Sequence, residues 1–250
     1  MRPRRTAYAW VYRGDADHPY TAFDLSAGRS QEFPTAFLQG FTGFLQADAY
    51  AGFNAVHGHG VRHVGCWMHA RRGFVEAQDN EPKAHEALAY IRTLYAVERD
   101  IKEQSLSNDN ALSLRRTRAG PILDAFAQWL EEQHRVALPK SAFGQAVAYA
   151  RNQWRTLVRY RDDARLAIDN GPAEQALRPL AVGRGNWLFV GGDGGPSTAA
   201  VLLSLCASAK RHRLNPWRYL THLLTELPGR TAGSELTDLL PDVWARTAAA

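Results

Sequence analysis

Cysteine is nearly absent from this 250-residue chain: Cys66 and Cys206 are the only two, and they are far apart. Two isolated thiols suggest neither a disulfide scaffold nor a four-ligand zinc site, and they suit a reducing compartment. Long apolar runs are lacking as well. No stretch approaches the roughly 18 residues needed to cross a bilayer. The basic start, Met1-Arg2-Pro3-Arg4-Arg5, runs into aromatic and polar residues rather than the apolar stretch of a signal peptide. Repeats and low-complexity tracts are missing, apart from the closing Ala248-Ala249-Ala250, which is expected to fray. Charge of one sign is not in large excess. Thirty Lys and Arg against 25 Asp and Glu give +5 with nine neutral His, a balance that permits a polyanionic partner without demanding one. Gly191-Gly192-Asp193-Gly194-Gly195 is glycine-rich but lacks the Lys and Ser/Thr of a phosphate loop, so it is weak support for nucleotide binding.

Hydrophobic residues make up 45% of the chain and charged residues 22%, enough for a real core in one large domain or two small ones. Tyr8 to Tyr12 and Tyr20 to Leu25 read as strands. The turn signal Gly14-Asp15-Ala16-Asp17-His18-Pro19 between them predicts a hairpin. A short helix is expected over Phe33 to Phe41, with Pro34 in its first turn. A strand should follow from Gly43 to Asp48, then a brief helix from Ala51 to Val56, closed by the Gly and His residues of 57–60. His63 to Trp67 reads as another short strand. From about Ala70 to Tyr160 apolar residues recur at helical spacing, among them Leu88, Ile91, Leu94, Tyr95 and Val97, with breaks at Ser105 to Asn110 and at Leu138-Pro139. Core packing is the plain reading of those aromatics. A helix start is expected at Ile168 to Glu174, with Asp169 or Asn170 as cap, Pro172 in the first turn, and Glu174 where a helix favours a carboxylate. Trp187 to Val190 reads as a short strand. Thr198 to Lys210 and Pro216 to Leu227 read as helices, and Pro241 to Trp244 as a terminal hook. The mixture predicts an α/β chain.

Two long motifs carry a resemblance. The first is Leu45-Gln46-Ala47-Asp48-Ala49-Tyr50-Ala51-Gly52-Phe53, with Cys66-Trp67-Met68-His69-Ala70-Arg71-Arg72 after it. The second is Ile168-Asp169-Asn170-Gly171-Pro172-Ala173-Glu174-Gln175-Ala176-Leu177-Arg178-Pro179, continuing through Gly183-Arg184-Gly185-Asn186-Trp187-Leu188-Phe189. Together with Ala209-Lys210 and Asn215-Pro216-Trp217-Arg218-Tyr219-Leu220, they resemble the bacterial transposases of the insertion-sequence 66 family, over Tyr8 to Trp244.

The resemblance implies a ribonuclease H-like mixed sheet with a large all-helical insertion and an Asp-Asp-Glu triad. It implies a first core segment over 1–75, the insertion over 76–165, the rest of the core over 166–210 and a C-terminal helical element over 211–250. It places the second Asp on Asp48 and the Glu on Glu174. Both would be catalytic and metal-binding, holding two Mg²⁺ ions, with Mn²⁺ as a substitute. Two such ions, about 3.5–4 Å apart, activate the attacking oxygen and stabilise the leaving one in strand cleavage and strand transfer.

The implied partners are DNA, as element ends and target, further copies of the chain, and companion proteins of the element. The implied location is cytoplasmic and nucleoid-associated, with no membrane. Arg71, Arg72, Arg178, Arg184 and Lys210 are candidate phosphate contacts, equally readable as solvated surface charges.

The first Asp of the triad and the central first strand that carries it should precede the hairpin, but Met1 to Thr6 reads as a linker, so the resemblance implies an N-terminally truncated chain that lacks both and is inactive as written. Asp15, Asp17 and Asp24 are in the wrong place for that role. Three readings therefore stay open: a transposase catalytic core, a non-catalytic DNA-binding remnant of the same family, and an unrelated ribonuclease H-like nuclease. Asp169 is the rival metal ligand, with capping as its plainer role. Cys66 and His69 have the spacing of half a zinc site, with packing or a DNA-facing role as the plainer one.

Overall fold

A computed structural model describes residues 6–56, 60–187, 190–192 and 194–248 of the chain. In chain order the elements are β1 (Tyr8–Arg13), β2 (Thr21–Ser26), α1 (Glu32–Phe37), β3 (Gly43–Gln46), a 3₁₀ turn (Ala51–Val56), β4 (Val61–Val64), α2 (Trp67–Ala77), α3 (Lys83–Glu103) and α4 (Asn108–Leu114). After a π-helical turn (Arg115–Ala119) come α5 (Gly120–Val136), α6 (Ala142–Asn152), α7 (Trp154–Leu157), a 3₁₀ turn (Val158–Asp162), α8 (Gly171–Trp187), α9 (Gly195–Arg211), α10 (Pro216–Glu226) and α11 (Pro241–Ala248).

The expected hairpin, the helical stretch and its two breaks are present. Four expectations shift. The helix expected to reach Phe41 ends at Phe37, and the terminal hook is a full helix, α11. Trp67, read as the end of a strand, opens α2. Trp187, read as the start of one, closes α8, and the rest of that expected strand falls on 188 and 189, outside the described residues. The Gly and His residues of 57–59 lie outside them too.

The strands do not form the one mixed sheet expected. Among the described residues they make two two-stranded sheets, β1-β2 antiparallel and β3-β4 parallel. A sheet continues only by backbone pairing, and no described strand bridges β1 to β3. The chain divides into two compact units, one of residues 34–171 and one of 1–33 with 172–250.

The 34–171 unit is built on aromatic packing. Trp67 is fully buried, its indole N–H donates to the Leu157 carbonyl at 2.9 Å, and its ring stacks on Phe126 with centroids 6.0 Å apart. Phe74, Tyr90, Trp129, Phe143 and Trp154 join the cluster, and Trp129 Nε1 donates to Glu86 at 2.8 Å. Helix α2 approaches α6 so closely that a Cβ on Gly73 would lie 3.0 Å from the Ala146 Cβ. Helix α3 stops because Ser105 turns left-handed (φ 48°), and Leu106 N–H then reaches back to the Ile101 carbonyl at 3.1 Å. The π turn precedes Pro121, which has no N–H to give and whose ring crowds the preceding turn. One extra residue per turn relieves that conflict without ending the helix.

Arg115, on this π turn, is 3% exposed. Nε and Nη2 grip the Glu98 carboxylate at 2.8 and 2.6 Å, and the remaining N–H groups donate to the carbonyls of Tyr160 (2.7 Å), Asp163 (3.0 Å) and Leu166 (2.9 Å). Every guanidinium donor is satisfied.

In the other unit α9 lies along β2. Ser208 Oγ accepts from Thr21 N at 3.0 Å and donates to Thr21 O at 3.1 Å, and Ser204 Oγ accepts from Phe23 N at 2.8 Å. Arg211 closes the hairpin turn through the carbonyls of Gly14, Asp15 and Tyr20. Asp15 accepts from His18 N at 2.9 Å, a turn role. A small core of Ala209, Tyr219, Leu223 and Leu239 joins α9, α10 and the chain before α11.

Arg115→Met strands the Glu98 carboxylate and takes the guanidinium donors from three carbonyls at once, of which that of Asp163 keeps the Leu166 N–H. It should lower the unfolding free energy by about 3–5 kcal/mol, measured by urea denaturation.

Candidate functional site

Parallel strands β3 and β4 end side by side, and the chain leaving each carries one motif segment. Asp48 lies two residues past β3. Its Oδ1 accepts from Tyr50 N at 3.2 Å, an Asx turn, and its Oδ2 lies 3.8 Å from His69 Nε2 on the first turn of α2. The Asp48 side chain is 38% exposed against 17% for His69. The preceding residue is held firmly: Ala47 N donates to the Val64 carbonyl at 3.1 Å, and its own carbonyl is 3.3 Å from His63 Nε2. Carboxyl ends of parallel strands are where α/β proteins commonly place ligands.

The opening of the second motif is laid against the same strand ends. Gln46 Nε2 donates to the Ala167 carbonyl at 2.7 Å, Trp67 N to the Ile168 carbonyl at 3.2 Å, and Cys66 Sγ to Asn170 Oδ1 at 2.9 Å. Asp169 is doubly engaged: Tyr95 OH donates to Oδ2 at 2.5 Å and Gly171 N to Oδ1 at 2.9 Å. Asp169 therefore forms an Asx turn that leads into α8, close to the plainer, capping role expected of it. Glu174, half-buried, follows in the first turn of that helix and belongs to the other compact unit.

Electrostatics around Asp48 favour neutral partners. Burial pushes the Cys66 thiol up, so it stays protonated and packs rather than ligates. Burial also raises the Tyr149 hydroxyl, with the Asp48 charge adding to it. Tyr95 is raised by burial and by its bond to Asp169. His63 is lowered, first by burial and then by Arg159, against the Ala47 carbonyl and Asp48, which pull the other way. Among the described residues no three His, Cys, Asp or Glu side chains stand together as a metal cage.

The candidate phosphate contacts are dispersed. Arg71 and Arg72 are exposed on α2, Arg178 and Arg184 are exposed on α8, and Lys210 is exposed near the end of α9. Tyr95 and the side-chain contact of Asn170 were not marked as site features by the sequence. Tyr95 fell within the helical apolar pattern, and its partner is 74 residues away.

Comparison with known proteins comes to the same family. The family model described as Transposase IS66 family matches residues 1–198, and that described as IS66 C-terminal element matches 204–241. The chain is similar to three proteins of Sinorhizobium fredii (strain NBRC 101917 / NGR234), each named as uncharacterized. Identity is 29% with y4hP (98% of this chain, 48% of the relative), 30% with y4jD (90% and 46%) and 27% with y4qI (94% and 46%). The chain thus spans about half the length of these curated relatives. No solved structure matches it.

Two outcomes follow from the geometry. Tyr95→Phe removes a bond to a charged acceptor and should cost about 1.5–3 kcal/mol of stability, while Asp169→Asn should cost less; urea denaturation of both checks this. His63, depressed when folded, takes up its proton more readily when unfolded. Stability should therefore fall as pH drops below the ordinary histidine value of about 6.5. His63→Gln should flatten that slope in denaturation curves taken between neutral and mildly acidic pH.

Proposed function

The chain belongs to the Transposase IS66 family, and from that premise we propose that it is a catalytic core for DNA strand cleavage and strand transfer, with Asp48 and Glu174 as its acidic residues. The observation that carries this reading is the Asp48 carboxylate: it stands partly exposed at the carboxyl end of a parallel strand, beside the anchored segment that leads by four residues from Asn170 to Glu174. That family membership removes the reading of an unrelated nuclease.

The donor chemistry fits a hard divalent cation in part. Asp48 and Glu174 offer carboxylate oxygens, which Mg²⁺ prefers together with water, but the described residues supply no cluster of three ligating side chains. Bound there, a pair of Mg²⁺ ions, or Mn²⁺ in their place, would supply activation of the attacking oxygen and stabilisation of the leaving one. The chain's own share is to hold the Asp48 carboxylate in its Asx turn against His69 and to fix the start of α8 through Asp169. Water then cleaves a phosphodiester at an element end, and the released 3′-hydroxyl attacks target DNA. Arg71, Arg72, Arg178, Arg184 and Lys210 would contact phosphates.

The same proposal extends to a ribonuclease H-like sheet. An antiparallel hairpin and a parallel pair are its component pairings, and the β2 edge is already covered by α9, which leaves the β1 edge for a further strand. The division into core (1–75 and 166–210), helical insertion (76–165) and C-terminal element (211–250) goes with it, as do a nucleoid location, assembly with further copies and companion proteins. No described helix is long and apolar enough to cross a membrane.

The incomplete ligand set favours one second reading, a non-catalytic DNA-binding member of the family. Nicking of supercoiled plasmid by the 250-residue chain with Mg²⁺ or Mn²⁺ separates the two. The catalytic reading expects metal-dependent nicking that Asp48→Ala and Glu174→Ala each reduce to the metal-free background. DNA binding without nicking by the unsubstituted chain selects the second reading, and nicking that survives both substitutions removes Asp48 and Glu174 from the chemistry.

A further inference from the structure

A second group of charges lies wholly within the 34–171 unit, and neither long motif contains it. Arg62 stands opposite Phe44 in the β3-β4 ladder, its guanidinium carbon 4.0 Å from the centre of the Phe44 ring. Such stacking orients a guanidinium while keeping its N–H edge available. Arg159 donates to the His63 carbonyl on the same strand. Arg155, exposed, is one helical turn before Arg159.

Backbone contact locks these segments together. Gly65 N donates to the Thr156 carbonyl at 2.9 Å, and a Cβ on Gly65 would lie 2.8 Å from Thr156 Oγ1, so α7 docks on the end of β4 only because residue 65 has no side chain.

The three cations meet with no carboxylate in direct contact. Elsewhere in the unit arginines face carboxylates closely: Arg115 to Glu98 at 2.6 Å, Arg118 to Asp100 at 2.5 Å and Arg151 to Glu131 at 2.6 Å. Here the nearby acids are taken by other partners, Asp163 by Arg165 at 2.7 Å and Asp162 by Arg161 at 3.9 Å. Among the described residues Arg62, Arg155 and Arg159 make no ion pair. Like charges one turn apart on a helix repel. Burial holds the Arg159 pKa below its usual range, Arg155 and Arg62 press it further down, and Asp162 partly offsets them.

We infer that Arg62, Arg155 and Arg159 form a docking surface for the phosphodiester backbone of DNA, on which a strand leads away from Asp48. The position follows from His63: its carbonyl binds Arg159, and its Nε2 is 3.3 Å from the carbonyl of Ala47, the residue before Asp48. Each strand of a duplex carries one negative charge per roughly 3.4 Å of helix axis, so a strand that crosses this surface brings phosphates to the cluster. Guanidiniums that bind phosphate release condensed counterions and relieve their own repulsion. The choice of DNA as occupant rests on the transposase reading; the surface itself rests on the arginine geometry.

Fluorescence anisotropy of the whole chain with a short labelled duplex of arbitrary sequence, titrated across salt concentrations, tests the inference. Arg62→Gln with Arg155→Gln should weaken binding and make the salt slope shallower by about 1.8, about 0.9 for each phosphate that is no longer neutralised. Arg155→Lys should keep most of the slope, and Arg118→Gln, which loses only its Asp100 pair, should leave it unchanged. Arg159 is left intact because it anchors the His63 carbonyl, and thermal melting reports whether the variants fold.

An unchanged slope in the double variant, an equal loss in Arg118→Gln, or no binding by the unsubstituted chain overturns the surface. A preference for an RNA duplex that the double variant abolishes overturns DNA as its occupant. Asp48→Ala should retain the full slope, so loss of nicking and loss of this surface read out separately.

Discussion

One buried guanidinium sets the geometry of the 34–171 unit. Arg115 reaches from the π turn, clamps Glu98 on α3 and holds three carbonyls of the irregular stretch 160–166. Beyond its 3₁₀ turn that stretch has little regular backbone pairing, and buried carbonyls short of donors are costly. A hydrophobic side chain at position 115 would fill the space and leave the Glu98 carboxylate unpaired and these carbonyls without the guanidinium. The ion pair contributes modest net stability, because removing both charges from water offsets much of their attraction. Its larger effect is to select a single path for the chain. Five directional bonds from one planar group admit little else, and the π turn that aims the group adjoins a proline its helix has to accommodate.

The path selected there determines where the second motif begins. Immediately beyond the Arg115 contacts, residues 167–170 meet the ends of β3 and β4 through Gln46, the Trp67 N–H and Cys66. A carboxylate site needs its ligands placed to within a fraction of an ångström, and side chains held by their own hydrogen bonds meet that demand better than free ones. Asp169 illustrates the division of labour. Both of its oxygens are engaged by Tyr95 and Gly171, so it shapes the helix start, whereas Asp48 keeps a carboxylate more than one-third exposed.

Local pattern made much of this legible in the sequence. The hairpin, the breaks at Ser105 and Pro139, and the caps at Asn170 or Asp169 depend on neighbours a few residues away, and the chain states those directly. What depends on remote partners was not legible. The apolar run from His63 to Trp67 reads as a strand, yet Trp67 starts a helix because its indole has a carbonyl partner at Leu157, 90 residues on. Tyr95 looks like one more core aromatic until Asp169 is found against its hydroxyl. Asp48 was found by its motif, but the arginines at 62, 155 and 159 come from separate segments with no shared motif, and only the docking of α7 on β4 unites them. The size of the sheets was equally hidden, since alternation shows that a strand forms without showing how many partners it has.

A two-stranded ribbon is marginal in water unless something packs on it, and the β1-β2 hairpin gets that support in an economical way. Ser204 and Ser208 are four residues apart on α9, a rise of about 6 Å along a helix. Phe23 and Thr21, whose backbone groups they meet, are two residues apart on β2, about 6.6 Å along a strand. The two repeats nearly coincide, so two small hydroxyls satisfy the same edge of β2 in succession, Ser204 at Phe23 and Ser208 at Thr21. Larger residues at 204 and 208 would hold the helix away, and apolar ones would bury strand amides unpaired. An edge closed in this manner no longer templates pairing with a foreign strand. The hairpin can therefore grow only past β1, a polarity that the serine spacing on a neighbouring helix imposes on the sheet.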